Sequence, residues 1–162
     1  MSLPRNPFTI LALPTQGKIL ALDLGSVRTG VAITDALQRV AFARAEIIHS
    51  SAEELKTKLS KLIEEEKIVG VLIGLPTKLS GEETEQTEKT RQLTAALDLK
   101  IPMIFVDERL TSEFAGSALQ NPLGLSTRQS LKGPVDSRSA QIILEENLKE
   151  LRGLRITDEE DL

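Results

Sequence analysis

Apolar residues occur along this chain in short uninterrupted runs and, elsewhere, at helical spacing. The runs at 19–22, 30–33, 68–75 and 101–106 are bounded by polar or turn-forming residues, which is typical of buried strands. The stretch at 40–48 predicts one more strand, third in chain order. The run 68–75 is continuous and uncharged, as expected of a central strand that is covered on both faces.

Helical patterns fill most of the remaining chain. Ser51 and Glu54 have the form of a capping box, and apolar residues then recur at helical spacing as far as Glu66. Three further helices are predicted: a solvated helix at 82–97, a short helix at 112–120 and a last helix at 137–151.

The order of these elements predicts an α/β fold built on a mixed five-stranded sheet. Three antiparallel strands come first, and the last two strands are parallel and joined by right-handed helical crossovers. A chain of 162 residues is most economically one domain, which we assign to 18–152. A poorly ordered leader at 1–17 and an acidic tail at 153–162 are expected to flank it.

Composition excludes several classes of functional site. The chain has no cysteine, which excludes disulfides, thiolate metal sites and a cysteine nucleophile, and the cytoplasm is the expected compartment. Neither a signal peptide core nor a membrane span is expected. The net charge is −4, but the four acids at 158–161 account for it and leave 20 acidic and 20 basic residues elsewhere. The net charge therefore argues neither for nor against nucleic acid as a partner.

Carboxylates stand at three places where predicted elements begin or end. Asp23 closes the first strand, Asp107 and Glu108 follow the fifth, and Asp136 precedes the last helix. The carboxyl ends of parallel strands meet at one edge of an open α/β sheet, where ligands usually bind. Converging carboxylates in a chain with one histidine favour a hard cation, Mg²⁺ or Mn²⁺. Two such ions about 4 Å apart can activate a water and stabilise the leaving oxygen of a phosphodiester.

Each acid also has an ordinary structural alternative. Asp23 could cap the turn that follows it, Glu108 could pair with Arg109 in solvent, and Asp136 could be a helix N-cap. Asp107 is the reserve candidate should Glu108 point away. The coincidence of all the acids favours function.

Four blocks of sequence resemble, in order and spacing, those of the YqgF (RuvX) family. They are DLGSVRTGVA at 23–32, GLP at 74–76 with Gly81, DERLT at 107–111 and VDSRSA at 135–140. The resemblance runs from about residue 18 to 151, and the DERLT and VDS blocks together are specific. The chain departs from the family where the GLP loop continues TKLSG, since many relatives have a stretch similar to NMDG there.

The resemblance implies a ribonuclease H-like fold related to the RuvC Holliday-junction resolvases and a metal-dependent nuclease activity. It also implies a role in trimming the 5′ end of the 16S ribosomal RNA precursor. The family's acids fall on Asp23, Glu108 and Asp136. Nucleic acid is then the expected partner, as a ribosomal RNA precursor in ribosomal particles or, alternatively, as branched DNA.

Cations in the same blocks and in the loop at 121–135 are candidates for phosphate contacts, although each could be only a solvated surface charge. They are Arg28, Lys78, Arg109, Arg128, Lys132 and Arg138. The loop is rich in proline and glycine and is predicted to be mobile until nucleic acid binds. His49 is expected at a strand end without a catalytic role.

Two other function classes compete with a nuclease. The DLG turn is also typical of actin-like ATPases, although those clamp nucleotide between two related domains and this chain has room for one. A binding module without turnover, acting on RNA or the transcription machinery, is the other alternative, against which the three acids argue. The sequence is silent on oligomeric state.

Overall fold

The computed structural model describes residues 13–78, 80–107 and 137–160. Within these ranges the chain forms five strands and three helices. In chain order they are β1 (Lys18–Asp23), β2 (Arg28–Thr34), β3 (Ala41–Ile48), α1 (Ala52–Glu66), β4 (Ile68–Leu75), α2 (Glu85–Leu97), β5 (Met103–Asp107) and α3 (Arg138–Glu160). The predicted helix at 112–120 and the predicted mobile loop at 121–135 lie outside the described residues.

The five strands form one mixed sheet in the order β3-β2-β1-β4-β5. β1 pairs antiparallel with β2, which pairs antiparallel with β3, while β4 runs parallel to both β1 and β5. Leu22, Ile73 and Phe105 lie in one row across the parallel half of the sheet. The predicted fold class, three antiparallel strands followed by two parallel ones, is confirmed.

The sheet is covered on both faces, as the uncharged β4 run predicts. On one face Leu55 and Leu59 of α1 and Leu97 of α2 pack against the sheet. On the other face α3 contributes its apolar stripe, which includes Ile143 and Leu148. Strand side chains alternate between these two clusters, and this alternation assigns each strand residue to a face. Within the described residues, no helix has the length and apolar character needed to cross a membrane.

The start of α1 differs in one detail from the predicted capping box. Ser51 is the N-cap, and its hydroxyl accepts from the amide of Glu54. The Glu54 carboxylate, however, bonds the amide and hydroxyl of Ser50, at 3.2 and 2.7 Å, one residue before the cap. The cap therefore holds the end of the β3–α1 connection as well as the helix.

α2 begins three residues later than predicted. Glu83 forms an isolated bridge with Thr77, which keeps residues 82–84 out of the helix. Thr84 is the N-cap and forms a reciprocal capping box with Thr87. The prediction of a start at Glu82 is thus wrong, because the charged residues before Thr84 belong to a turn closed by the bridge.

The described structure includes residues on both sides of the segment assigned to the domain. α3 continues from the predicted end at Leu151 to Glu160, since the single Gly153 costs a helix only about 1 kcal/mol. At the other end Leu13 is buried in the core beside Gly70, although it belongs to the predicted leader. The Gln38 amide also donates to the carbonyls of Pro14 and Gly17.

Candidate active site

The candidate site lies at the carboxyl edge of the parallel strands. β1 ends there at Asp23, β4 at Leu75 and β5 at Asp107. The antiparallel β3 ends at the same edge, and α1 and α2 both begin there after β3 and β4. The edge therefore collects strand ends and helix starts, which is where side chains from distant parts of the chain can meet.

Asp23 is the last residue of β1 and is partly exposed. It pairs with Gly30 of β2, and strand alternation gives it the face of Ile19 and Ala21, which is the face that α3 covers. An acid at the rim of a buried strand can keep its charge because it remains in contact with solvent.

The turn after Asp23 requires glycine at position 25. A Cβ on Gly25 would collide with the carbonyl oxygen of Arg28, which begins β2. Gly25 therefore lets β1 reverse tightly into β2 and fixes where Asp23 ends the strand.

The start of α3 is tied to β2 next to Asp23. Ser137 is completely buried, and its hydroxyl accepts from the amide of Val31 at 3.0 Å. The pairing of β2 with β3 shifts register between Thr29 and Val31, and the Val31 amide bonds α3 at this irregularity. Val31 is the strand partner of Leu22, one row from Asp23.

Two of the three predicted acids cannot be located. Glu108 and Asp136 lie outside the described residues, and each is a direct chain neighbour of a described one, Asp107 and Ser137. Asp107 closes β5 opposite Leu75. Within the described ranges no group of three acidic or histidine side chains could hold a metal ion, and Asp23 is the described member of the predicted triad.

Three of the six predicted cations are described. Arg28 opens β2 at the carboxyl edge, and its exposed guanidinium pairs with Glu46 at 2.7 Å. Lys78 follows β4 and lies 3.8 Å from Glu82, with both side chains exposed. Arg138 is the first residue of α3. The exposed pair of Lys78 and Glu82 is worth at most about 1 kcal/mol. Arg109, Arg128 and Lys132 lie outside the described residues.

Two residues acquire roles that sequence reasoning missed. Ser137 stood inside the VDS block, but nothing in the sequence showed that its hydroxyl would bond a strand amide. His49 was expected at a strand end, and it does follow β3, yet it is buried at 2% exposure with its Nε2 2.9 Å from Thr29 Oγ1. Burial lowers the pKa of His49 below its ordinary value, which favours a neutral ring.

A family model described as "RuvX: Holliday junction resolvase" matches residues 17–150. The chain belongs to the RuvX family. A relative from Maridesulfovibrio salexigens, named "Putative pre-16S rRNA nuclease", is 38% identical over 130 residues, which cover 79% of this chain and 95% of the relative. A relative of the same name from Oleidesulfovibrio alaskensis is 39% identical, over 79% of this chain and 89% of its own length.

Two solved resolvases share the fold of this RuvX chain. T. thermophilus RuvC, in complex with a Holliday junction substrate, has a TM-score of 0.55 at 11% identity and covers 82% of this chain and 93% of its own. The yeast mitochondrial Holliday junction resolvase Ydc2 also has a TM-score of 0.55 at 13% identity, and the match covers 96% of this chain and 91% of its own. The ribonuclease H-like fold implied by the four blocks is confirmed.

Proposed function

We propose that this RuvX protein is a metal-dependent endonuclease that hydrolyses phosphodiester bonds while trimming the 5′ end of pre-16S rRNA. The hydrogen bond from the Val31 amide to Ser137 Oγ carries the proposal. It holds the start of α3 beside β2, the strand that pairs with the Asp23 end of β1, and Asp136 directly precedes Ser137 in the chain.

Strand alternation supports Glu108 as the third acid. Val106 packs on the α3 face of the sheet, and successive residues of a strand point to opposite faces. If the alternation continued beyond Asp107, Glu108 would share the face of Val106, which is also the face of Asp23. Asp107 falls on the opposite face, so Glu108 is the better ligand candidate.

These residues suit a hard divalent cation. Asp23, Glu108 and Asp136 would offer carboxylate oxygens, the donors that Mg²⁺ and Mn²⁺ prefer. When bound, such ions activate a water and stabilise the leaving oxygen, and we propose the two-metal form of this chemistry. Asp23 would hold its carboxylate at the rim of the sheet, fixed by the Gly25 turn, and Ser137 would orient the backbone that carries Asp136.

The cations at the same edge would position the substrate. Lys78 pairs with the exposed Glu82, and the exposed guanidinium of Arg28 pairs with the largely buried side chain of Glu46. A phosphate would compete with these acids for the two cations. Arg138 stands at the start of α3, and Arg109, Arg128 and Lys132 are candidates from the DERLT block and the 121–135 loop. Phosphate contacts of this kind fix the register of a nucleic acid without reading its sequence.

The names of the relatives support a ribosomal RNA precursor as substrate. We propose ribosomal particles as the setting and the cytoplasm as the compartment. A Holliday-junction DNA nuclease is the second candidate, because the description of the matching family names that activity. The 121–135 loop would order on either substrate.

Cleavage assays with end-labelled substrates test the proposal. Purified protein with Mn²⁺ or Mg²⁺ is offered a pre-16S fragment with its 5′ extension, duplex RNA, single-stranded DNA and a four-way DNA junction. We expect cleavage of the RNA precursor at defined ends, and loss of more than about a hundredfold in Asp23→Asn, since even groups outside the ligand set alter activity by 10- to 100-fold.

Asp98→Asn is the matched control. Asp98 is exposed and caps the carboxyl end of α2 at φ 42°, a conformation that asparagine tolerates. The Asp98→Asn variant should therefore cleave like the wild type. Cleavage of the junction alone would favour the DNA activity. Metal-dependent cleavage that survives in Asp23→Asn would contradict the site, and binding without any cleavage would favour an inactive binding module.

A further inference from the structure

A cleft of about 430 Å³ opens between α1 and α2, beside the turn that follows Asp23. Leu24, Gly25 and Ser26 form one side of it, and the start of α1 and one face of α2 form the others. This volume lies in the range of small-molecule sites. The cleft occupies the α1 and α2 face of the sheet, whereas Asp23 belongs to the α3 face, so the β1–β2 turn separates the two.

His49 is a largely buried residue of the cleft lining. Only 2% of it is exposed. Nε2 bonds the buried hydroxyl of Thr29, while Nδ1 has no hydrogen-bond partner among the residues that the structure describes. A buried polar atom without a partner costs about 1–3 kcal/mol. A ligand that reaches Nδ1 would recover this cost.

The rest of the lining is apolar or neutral, with one cation. Leu24 and Leu93 contribute apolar surface, and Gln86 and Gln92 contribute amides with both donors and acceptors. Lys89 is the one charged residue among the described residues of the lining, and it lies 3.8 Å from the exposed Glu85. Such a lining suits a flat uncharged ring that carries hydrogen-bonding edges and an attached anion, which are the features of a nucleotide.

We propose that this cleft receives one unpaired base of the RNA substrate, next to the nucleotide whose phosphate is cleaved. The base lies against Leu24 and Leu93, its edge bonds the amides of Gln86 and Gln92, and Lys89 contacts the adjoining phosphate. Recognition of splayed, single-stranded bases is the usual way in which proteins read RNA sequence. The inference rests on the proposed function, since it assumes that RNA passes over the carboxyl edge.

A pair of neighbouring alanines on α2 supplies the test. Ala96 lines the cleft and Ala95 does not, and both are exposed, so Ala96→Trp fills the cleft while Ala95→Trp adds the same side chain elsewhere on the helix. Binding is measured by fluorescence anisotropy with a single-stranded RNA from the precursor's 5′ region. A series of this RNA carries an abasic site at each position in turn. Thermal unfolding of each variant controls for folding.

For the wild type we expect one abasic position to weaken binding about fivefold, the loss expected for one hydrogen bond between the base edge and a glutamine amide. Ala96→Trp should weaken binding of the intact RNA similarly and lose the response to that position, while Ala95→Trp behaves like the wild type. Gln86→Ala, an exposed change that leaves the core intact, should reduce the response to the same position.

A flat abasic series, together with equal binding by both tryptophan variants, would overturn the cleft as a base site. If the wild type still cleaves RNA when the abasic series is flat, the proposed nuclease function stands without the base site. Failure of the wild type to bind or cleave any RNA would instead refute the proposed function, and the inference with it.

Discussion

The hydrogen bond between Ser137 and Val31 can be removed by one substitution, Ser137→Ala. Ser137 has no exposed surface and Val31 is 1% exposed, so water cannot replace the lost acceptor. Leaving a buried amide without a partner costs about 1–3 kcal/mol. Ser137 precedes the first residue of α3, so the higher helix propensity of alanine does not offset this cost. We therefore expect Ser137→Ala to lower the free energy of unfolding by about 1–3 kcal/mol.

Urea denaturation measures this change, and Ser139→Ala is its control. Ser139 is exposed, two residues further along α3, so its substitution reports helix propensity without the buried bond. In a domain of this size each kcal/mol lowers the melting temperature by about 2–4 °C. The difference between the two variants isolates the contribution of the hydroxyl.

Cleavage activity tests separately whether the bond positions Asp136. The assay is run at a temperature where the Ser137→Ala variant remains folded. If the bond positions Asp136, this variant should cleave more slowly and bind Mn²⁺ more weakly than its small unfolded fraction can explain. A variant as stable as Ser139→Ala would refute the energetic reasoning. A destabilised variant with full cleavage and unchanged Mn²⁺ affinity would show that the bond stabilises α3 without setting the site.

Three further predictions follow from the same edge and its surroundings. Gly25→Ala should lower both the melting temperature and cleavage, because its Cβ would collide with the Arg28 carbonyl and displace the turn after Asp23; thermal unfolding and the RNA assay measure both. Hydrogen bonds from Lys58 and then Ser50 lower the pKa of Glu54 to about 2, so the stability that it contributes is present above about pH 4.5 and is lost as the pH falls towards 2. Thermal unfolding over this range should show that loss, and Glu54→Gln should not. RNA affinity should fall steeply with salt, and Arg28→Ala or Lys78→Ala should each reduce the slope by about one; an affinity that is flat with salt would contradict the phosphate contacts.

Strands β1, β2 and β4 could be predicted from sequence because their burial is nearly complete. The β4 run has no polar residue, and seven of its eight residues are buried, so composition and environment agree. The acids at the ends of β1 and β5 were predictable for the same reason, since a charge that terminates an apolar run marks the point where the strand leaves the core.

The packing of α2 could not be predicted from an apolar pattern. Its buried face consists largely of Thr87, Thr90 and Thr94, which a count of polar residues assigns to solvent. The Thr90 and Thr94 hydroxyls donate to carbonyls four residues earlier, and Thr87 bonds the Pro76 carbonyl at the end of β4. Threonine can be buried when its hydroxyl finds a backbone acceptor, and sequence alone does not show where that acceptor will be.

The proposed metal site and the proposed base site belong to opposite faces of the sheet. Asp23 and the start of α3 share one face. The cleft lined by His49 and the amides of α2 lies on the other face. The β1–β2 turn lies beside both, and its tight geometry depends on Gly25. A substrate strand that crosses this turn would place a phosphate on one side and a base on the other, which would couple the choice of cleavage position to the base in the cleft.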